Sequence, residues 1–140
     1  MEILILNGPN LNLLGTRETD IYGAGTLADL EAGLRKAFPS CGFRFVQSNV
    51  EGELINALQA AAALDGVVFN PAGFSHTSVA LRDTIAAIDA PVVEVHISNI
   101  YAREQFRHTS LTGAAAAGVI SGLGFRGYEL AVRYLASRTA

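Results

Sequence analysis

Two hydrophobic periods alternate along this chain, and that alternation constrains its fold more than any other feature. Short apolar runs occur at Glu2–Leu6, Phe43–Gln47, Gly66–Phe69, Pro91–Ile97 and Gly118–Ser121, bounded by Gly, Pro or Asn. Runs this continuous predict strands buried on both faces. Stretches with helical spacing lie between them. Leu27, Leu30, Leu34 and Phe38 form one stripe behind a Thr26–Asp29 capping signature, and Pro39 and Gly42 stop it. The spacing predicts further helices over 51–64, 77–89 and 125–136, with Ser75 or Thr77 as the cap of the 77–89 helix. Strands and helices in strict alternation imply an α/β fold: a doubly wound, five-stranded parallel sheet between helical layers. No linker or repeat interrupts the 140 residues, so the whole of 1–140 is expected to be one domain.

Composition removes several function classes. A net charge of −3 disfavours a nucleic-acid footprint. The single Cys41 excludes an internal disulfide or a Cys-built metal site. The start has neither the basic nor the long apolar region of a signal peptide, and no run approaches the ~20 apolar residues of a membrane span. A cytoplasmic protein without a membrane partner is the expectation. Only 16% of residues are charged, against about 25% in ordinary domains. Either alanine richness or surface hidden in an oligomer accounts for that.

In an open parallel sheet, ligands bind beyond the carboxyl ends of the strands. Here those ends read Asn7-Gly8-Pro9-Asn10, Ser48-Asn49, Asn70-Pro71 and His96-Ile97-Ser98-Asn99. The first is followed by a segment, about 8–25, too long for a plain connection and better suited to a lid. It carries Asn12, Arg17 and Tyr22. A tyrosine phenol is a weak base near neutral pH, but a neighbouring guanidinium favours the phenolate. Tyr22 is otherwise read as an aromatic plug over the sheet edge. Glu94 and His96 are two apart on a strand and share a face, where the carboxylate can orient the imidazole as a general acid. A satisfied core pair is the competing reading. Arg103 and Arg107 would share a face if 99–108 were helical, an arrangement suited to an anionic partner. His76 lies in the turn before the third main helix, and Asp83 lies two turns along it.

Taken in order, these motifs become specific. Gly8-Pro9-Asn10-Leu11-Asn12, Arg17-Glu18 with Tyr22-Gly23, and Gln47-Ser48-Asn49 with Glu51-Gly52-Glu53 resemble the type II 3-dehydroquinate dehydratases. So do Asn70-Pro71 through Asp83, Glu94-Val95-His96-Ile97-Ser98-Asn99, Arg103-Glu104 with Phe106-Arg107, and Gly122-Leu123-Gly124-Phe125. The resemblance covers essentially the whole chain. It implies a flavodoxin-like fold, a homododecamer built as a tetramer of trimers, and dehydration of 3-dehydroquinate in the shikimate pathway with neither metal nor organic cofactor. It implies that Tyr22, activated by Arg17, is the base, and that an enolate forms near a water held by Asn12. His96, oriented by Glu94, would be the acid. The Ile97 and Ser98 amides would hold the substrate carboxylate, and Asn70, His76 and Arg107 its hydroxyls. Asp83 would reach a neighbouring subunit's site, and Arg103 would support the lid. The chain departs from the family's usual pattern at Thr19, often Pro, and at Phe74 and Ser75, often Tyr and Thr.

Other activities on this fold class fit less well. A flavodoxin-like electron carrier needs a Ser/Thr-rich phosphate loop after the first strand, and a phosphoacceptor domain needs Asp where Asn70 stands. A Schiff-base dehydratase would depend on the one lysine, Lys36, beside Arg35 late in a solvated helix. A non-catalytic oligomeric binding protein keeps every structural feature but does not require Tyr22, Arg17 and His96 together.

Overall fold

A computed structural model of the chain describes residues 1–16 and 18–138. Strands β1 (Glu2–Asn7), β2 (Gly42–Gln47), β3 (Gly66–Asn70), β4 (Val92–His96) and β5 (Gly118–Ser121) form an all-parallel sheet in the order β2-β1-β3-β4-β5. This is the flavodoxin-like order. The helices are α1 (Thr19–Tyr22), α2 (Leu27–Ala37), α3 (Glu51–Ala60), α4 (Val79–Ala87) and α5 (Arg126–Arg138). Short 3₁₀ turns lie at Leu11–Leu13, Ala72–His76, Ile100–Ala102 and Gln105–His108.

Alternation along the central strands divides the core in two. Ile3 and Ile5 of β1, Val68 of β3 and Val93 and Val95 of β4 pack with Leu30 and Leu34 of α2 and Tyr128, Val132 and Leu135 of α5. Leu4, Leu6, Val67 and Phe69 face the other way, onto Leu54 and Leu58 of α3 and Leu81 and Ile85 of α4. Each fully buried Leu or Ile contributes roughly 1.5–3 kcal/mol of transfer free energy. The predicted three-layer sandwich is therefore present, with its apolar mass under β1, β3 and β4.

Burial on both faces fails at the sheet's edges. Val46 of β2 and Val119 of β5 are exposed, because strands at the ends of the order lie beyond the helices' cover. Helix ends also differ from the sequence reading. α3 stops at Ala60 rather than 64, since the amides of Ala62 and Leu64 bond carbonyls three residues back and tighten the chain before β3. α4 is capped by Ser78, whose hydroxyl accepts the Leu81 N–H at 2.9 Å, not by Ser75 or Thr77. The capping box at α2 forms as read, with Thr26 and Asp29 bonding each other's backbone. The segment 99–108, whose arginines would share a face only if it were helical, is not one helix. Arg103 and Glu104 adopt extended conformations (ψ −161° and 147°) that separate two 3₁₀ turns.

The tips of β1 and β3 approach closely where the strand order reverses. Gly8 donates its N–H to the Asn70 carbonyl at 2.8 Å. A Cβ at position 8 would sit 2.6 Å from the Pro71 carbonyl oxygen, so no other residue fits there.

Candidate active site

A cavity of about 140 Å³ opens at the carboxyl edge of the sheet, above the β1–β3 reversal. Asn70, His76, His96, Ile97, Ser98, Arg103, Arg107 and Tyr22 all line it, with Leu11, Leu14 and Ile100 as apolar wall. Eight of the residues singled out by sequence thus converge on one space, from four segments of the chain.

The floor is the β4 tip. Both Glu94 and His96 are buried, the carboxylate at 0% exposure. His96 Nε2 lies 2.8 Å from Glu94 Oε2. Burial alone would push the Glu94 carboxyl up. The hydrogen bond and charge of His96, with hydroxyl donors from Ser110 and Thr112, outweigh it and hold the carboxyl below its ordinary range. A carboxylate this buried stays charged only when so surrounded.

The roof is α1. Tyr22 is half-buried on an otherwise exposed helix of four residues, which starts after Glu18 in a left-handed conformation (φ 41°). Arg103 Nη1 donates to the Tyr22 hydroxyl at 2.9 Å and to the Ser98 hydroxyl at 3.2 Å. Its guanidinium carbon also stands 5.3 Å from the Tyr22 ring centre. Arg103 therefore ties the roof to the loop after β4. Arg17, the activator expected from spacing, lies outside the described residues.

The walls hold the remaining groups. His76 Nδ1 donates to the Thr109 carbonyl at 2.8 Å, and its ring stacks on His96 with centres 6.3 Å apart. Burial, with the nearby positive His96 and Arg107, lowers the His76 pKa despite the Thr109 bond. A neutral ring with Nδ1–H committed presents Nε2 as an acceptor. Arg107 pairs with Glu104 through Nε and lies over the Phe106 ring. The Ile97 carbonyl accepts the Gly124 N–H and the Ser98 carbonyl accepts the Ser121 hydroxyl, which anchors that backbone. Asn70 donates to the Tyr128 hydroxyl at 3.0 Å and accepts the Ala72 N–H; Tyr128 in turn donates to Asn7 at 2.6 Å. Burial holds the Tyr128 phenol far above its ordinary pKa, so it stays protonated.

Two expected residues stand elsewhere. Asn12 is exposed on the 3₁₀ turn after β1, 3.5 Å from Gln47, and is not part of the cavity lining. Asp83 is exposed on α4, also outside the lining. Sequence reasoning missed Ser75, Ser110 and Thr112 around Glu94, and the Asn7–Tyr128–Asn70 chain beneath the cavity. A buried Glu in an apolar strand signals that donors must exist, but not which ones. Among the described residues no cluster of His, Cys, Asp or Glu could hold a metal ion, and no helix is long and apolar enough to cross a membrane.

Known proteins resemble this chain over nearly its whole length. Residues 1–136 match the family model described as dehydroquinase class II. A 3-dehydroquinate dehydratase of Bacillus licheniformis is 56% identical over 135 residues, covering 94% of this chain and 93% of that protein. The crystal structure of a type II dehydroquinase from Butyrivibrio crossotus superposes with a TM-score of 0.93 at 41% identity, over 96% of this chain and 97% of that one. A second, from Propionibacterium acnes, also gives 0.93, at 45% identity over 97% and 96% of the two chains.

Proposed function

The chain belongs to the class II dehydroquinase family, and from that premise we propose how its own residues carry out the reaction. The enzyme is a hydro-lyase that dehydrates 3-dehydroquinate to 3-dehydroshikimate. We assign Tyr22 as the base. Its phenolate removes the proton beside the ketone, and the C–H electron pair becomes an enolate. Arg103 donates a hydrogen bond to the phenol oxygen, and Arg17 is proposed to join it. The enolate then expels the β-hydroxyl. His96, held by Glu94, gives that oxygen a proton, and it leaves as water.

Binding follows from the walls. The Ile97 and Ser98 amides receive the substrate carboxylate. Asn70 has a second amide N–H to offer, His76 an Nε2 acceptor, and Arg107 the outer nitrogens of its guanidinium; these three grip the hydroxyls. Asn12 lies outside the lining, so its role of holding a water at the enolate requires segment 8–25 to close further as a lid.

We also propose that the enzyme is a homododecamer of four trimers, working in the cytoplasm. Asp83 and Val79 are four apart on α4 and share one exposed face, Val79 at 58% exposure. An apolar anchor beside a carboxylate suits docking against a neighbouring subunit, where Asp83 would complete that subunit's site.

One observation carries the reading: a phenol under a guanidinium and an imidazole on a buried carboxylate border the same cavity. Purified protein mixed with 3-dehydroquinate should gain enone absorbance. No gain from correctly assembled protein overturns the assignment.

A further inference from the structure

Glu94 accepts hydrogen bonds from more than His96. The Thr112 hydroxyl donates to Oε1. The Ser110 hydroxyl donates to Oε2 at 2.6 Å, and Ser75 lies 3.4 Å from the same oxygen. Ser110 Oγ also receives the Gly113 N–H at 2.8 Å and stands 2.6 Å from Ser75 Oγ. A hydroxyl has one proton. With Ser110 accepting from Gly113 and Ser75, its proton is committed to Glu94. The Thr112 proton has one other acceptor in reach, Ser110 Oγ at 3.3 Å, but the charged carboxylate oxygen is the closer and stronger acceptor. The Ser110 and Thr112 protons therefore point at the carboxylate, and the Ser75 proton holds Ser110 in that orientation.

We propose that Thr112 and Ser110, with Ser75, are positioning residues that keep Glu94 unable to take a proton, so that His96 keeps its own at Nε2 and does its chemistry at Nδ1. A proton on Glu94 would have to face one of these inward donors. Denied that, the Glu94–His96 pair cannot relax to a neutral acid beside a neutral imidazole with the opposite tautomer. Catalytic proton transfer is then confined to the ring nitrogen turned away from Glu94. The charged and titratable groups facing the pair are few: His76, stacked on His96 from the turn after β3, and Arg107 and Arg103 from the segment after β4. The acceptors and donors of the cage itself are neutral hydroxyls, so they hold the charge without adding one.

This inference rests on the assignment of His96 as the acid, and two measurements separate the two ideas. The chain has three histidines, so ¹⁵N-histidine labelling resolves the His96 ring directly. In Thr112→Val, which keeps shape and removes the donor, the His96 signals should move toward the other tautomer or a mixture. Turnover should fall roughly tenfold, the scale of one lost bond to a charged group, with KM little changed. The alkaline limb of the kcat profile, a property of the coupled pair, should move to higher pH, because the carboxylate that shares the pair's proton has lost a stabilising donor. Thr112→Ser should restore all three. Ser110→Ala, at a half-buried position, gives the same test should Thr112→Val fold poorly. Unchanged His96 signals in a folded variant overturn the cage proposal. Changed signals with unaltered kcat would leave the cage standing and remove His96 from the acid role.

Discussion

The floor and the roof of the cavity are built in opposite ways. Glu94 and His96 sit on β4, the strand between β3 and β5, fully enclosed and bonded on several sides. Tyr22 sits on four residues of exposed helix, bridged to the rest by Arg103. A buried carboxylate needs rigid surroundings that are complete before substrate arrives. A base that must let substrate in and product out benefits from a lightly held carrier. The protein therefore places its acid where the fold is strongest and its base where it is weakest.

The difference should separate activity from stability most sharply in a pair of variants. Tyr22→Phe should lose about 10²–10⁴ in kcat, the range of a general base, while its urea midpoint stays at the parent value. His96→Ala should lose a similar factor but also destabilise the fold by about 1–3 kcal/mol, because Glu94 loses a buried donor. Equal midpoints for the two would erase the contrast. Arg103→Lys keeps the charge but cannot reach Tyr22 and Ser98 with the same planar fork. Turnover should fall about tenfold, chiefly in kcat, with unfolding unaffected; an unchanged kcat would show that Arg103 does not hold the base.

Acid gives the smallest and most local effect. The folded Glu94 carboxyl lies below its ordinary value of 4.5. Its contribution to stability is thus complete above about pH 4.5 and is lost as pH falls through the lower folded value. Urea midpoints between pH 3 and 6 should show a decline that Glu94→Gln flattens, and Tyr22→Phe should follow the parent curve. A parent curve flat across that range would remove Glu94 from the acid response.

Much of this was legible because it depends on local pattern. Strand and helix alternation, the Thr26–Asp29 box and the shared face of Glu94 and His96 each need only neighbouring residues. The rest depends on separation. Arg103 meets Tyr22 across 81 positions, and Tyr128 meets Asn7 across 121. No spacing rule reaches so far. Sequence leaves the conformation of 99–108 open for a related reason. Arg103 abandons helical geometry, and its guanidinium reaches Ser98 and Tyr22, tertiary partners that local helical preference does not register. Ser75, a reasonable cap by sequence, is instead drawn into the Glu94 cage.

The Tyr128 hydroxyl joins the ends of β1 and β3 directly beneath the cavity, and it comes from α5, which follows all the other elements in the chain. Synthesis runs in that order too. While α5 is still inside the ribosome, Asn7 and Asn70 have been made but lack the phenol that links them, and Ile3, Ile5 and Val68 lack part of their cover. Strands β1 to β4 can pair beforehand, yet the floor of the cavity is joined only once α5 has docked. Chaperones that shield exposed sheet faces have their opportunity in the interval before α5 docks.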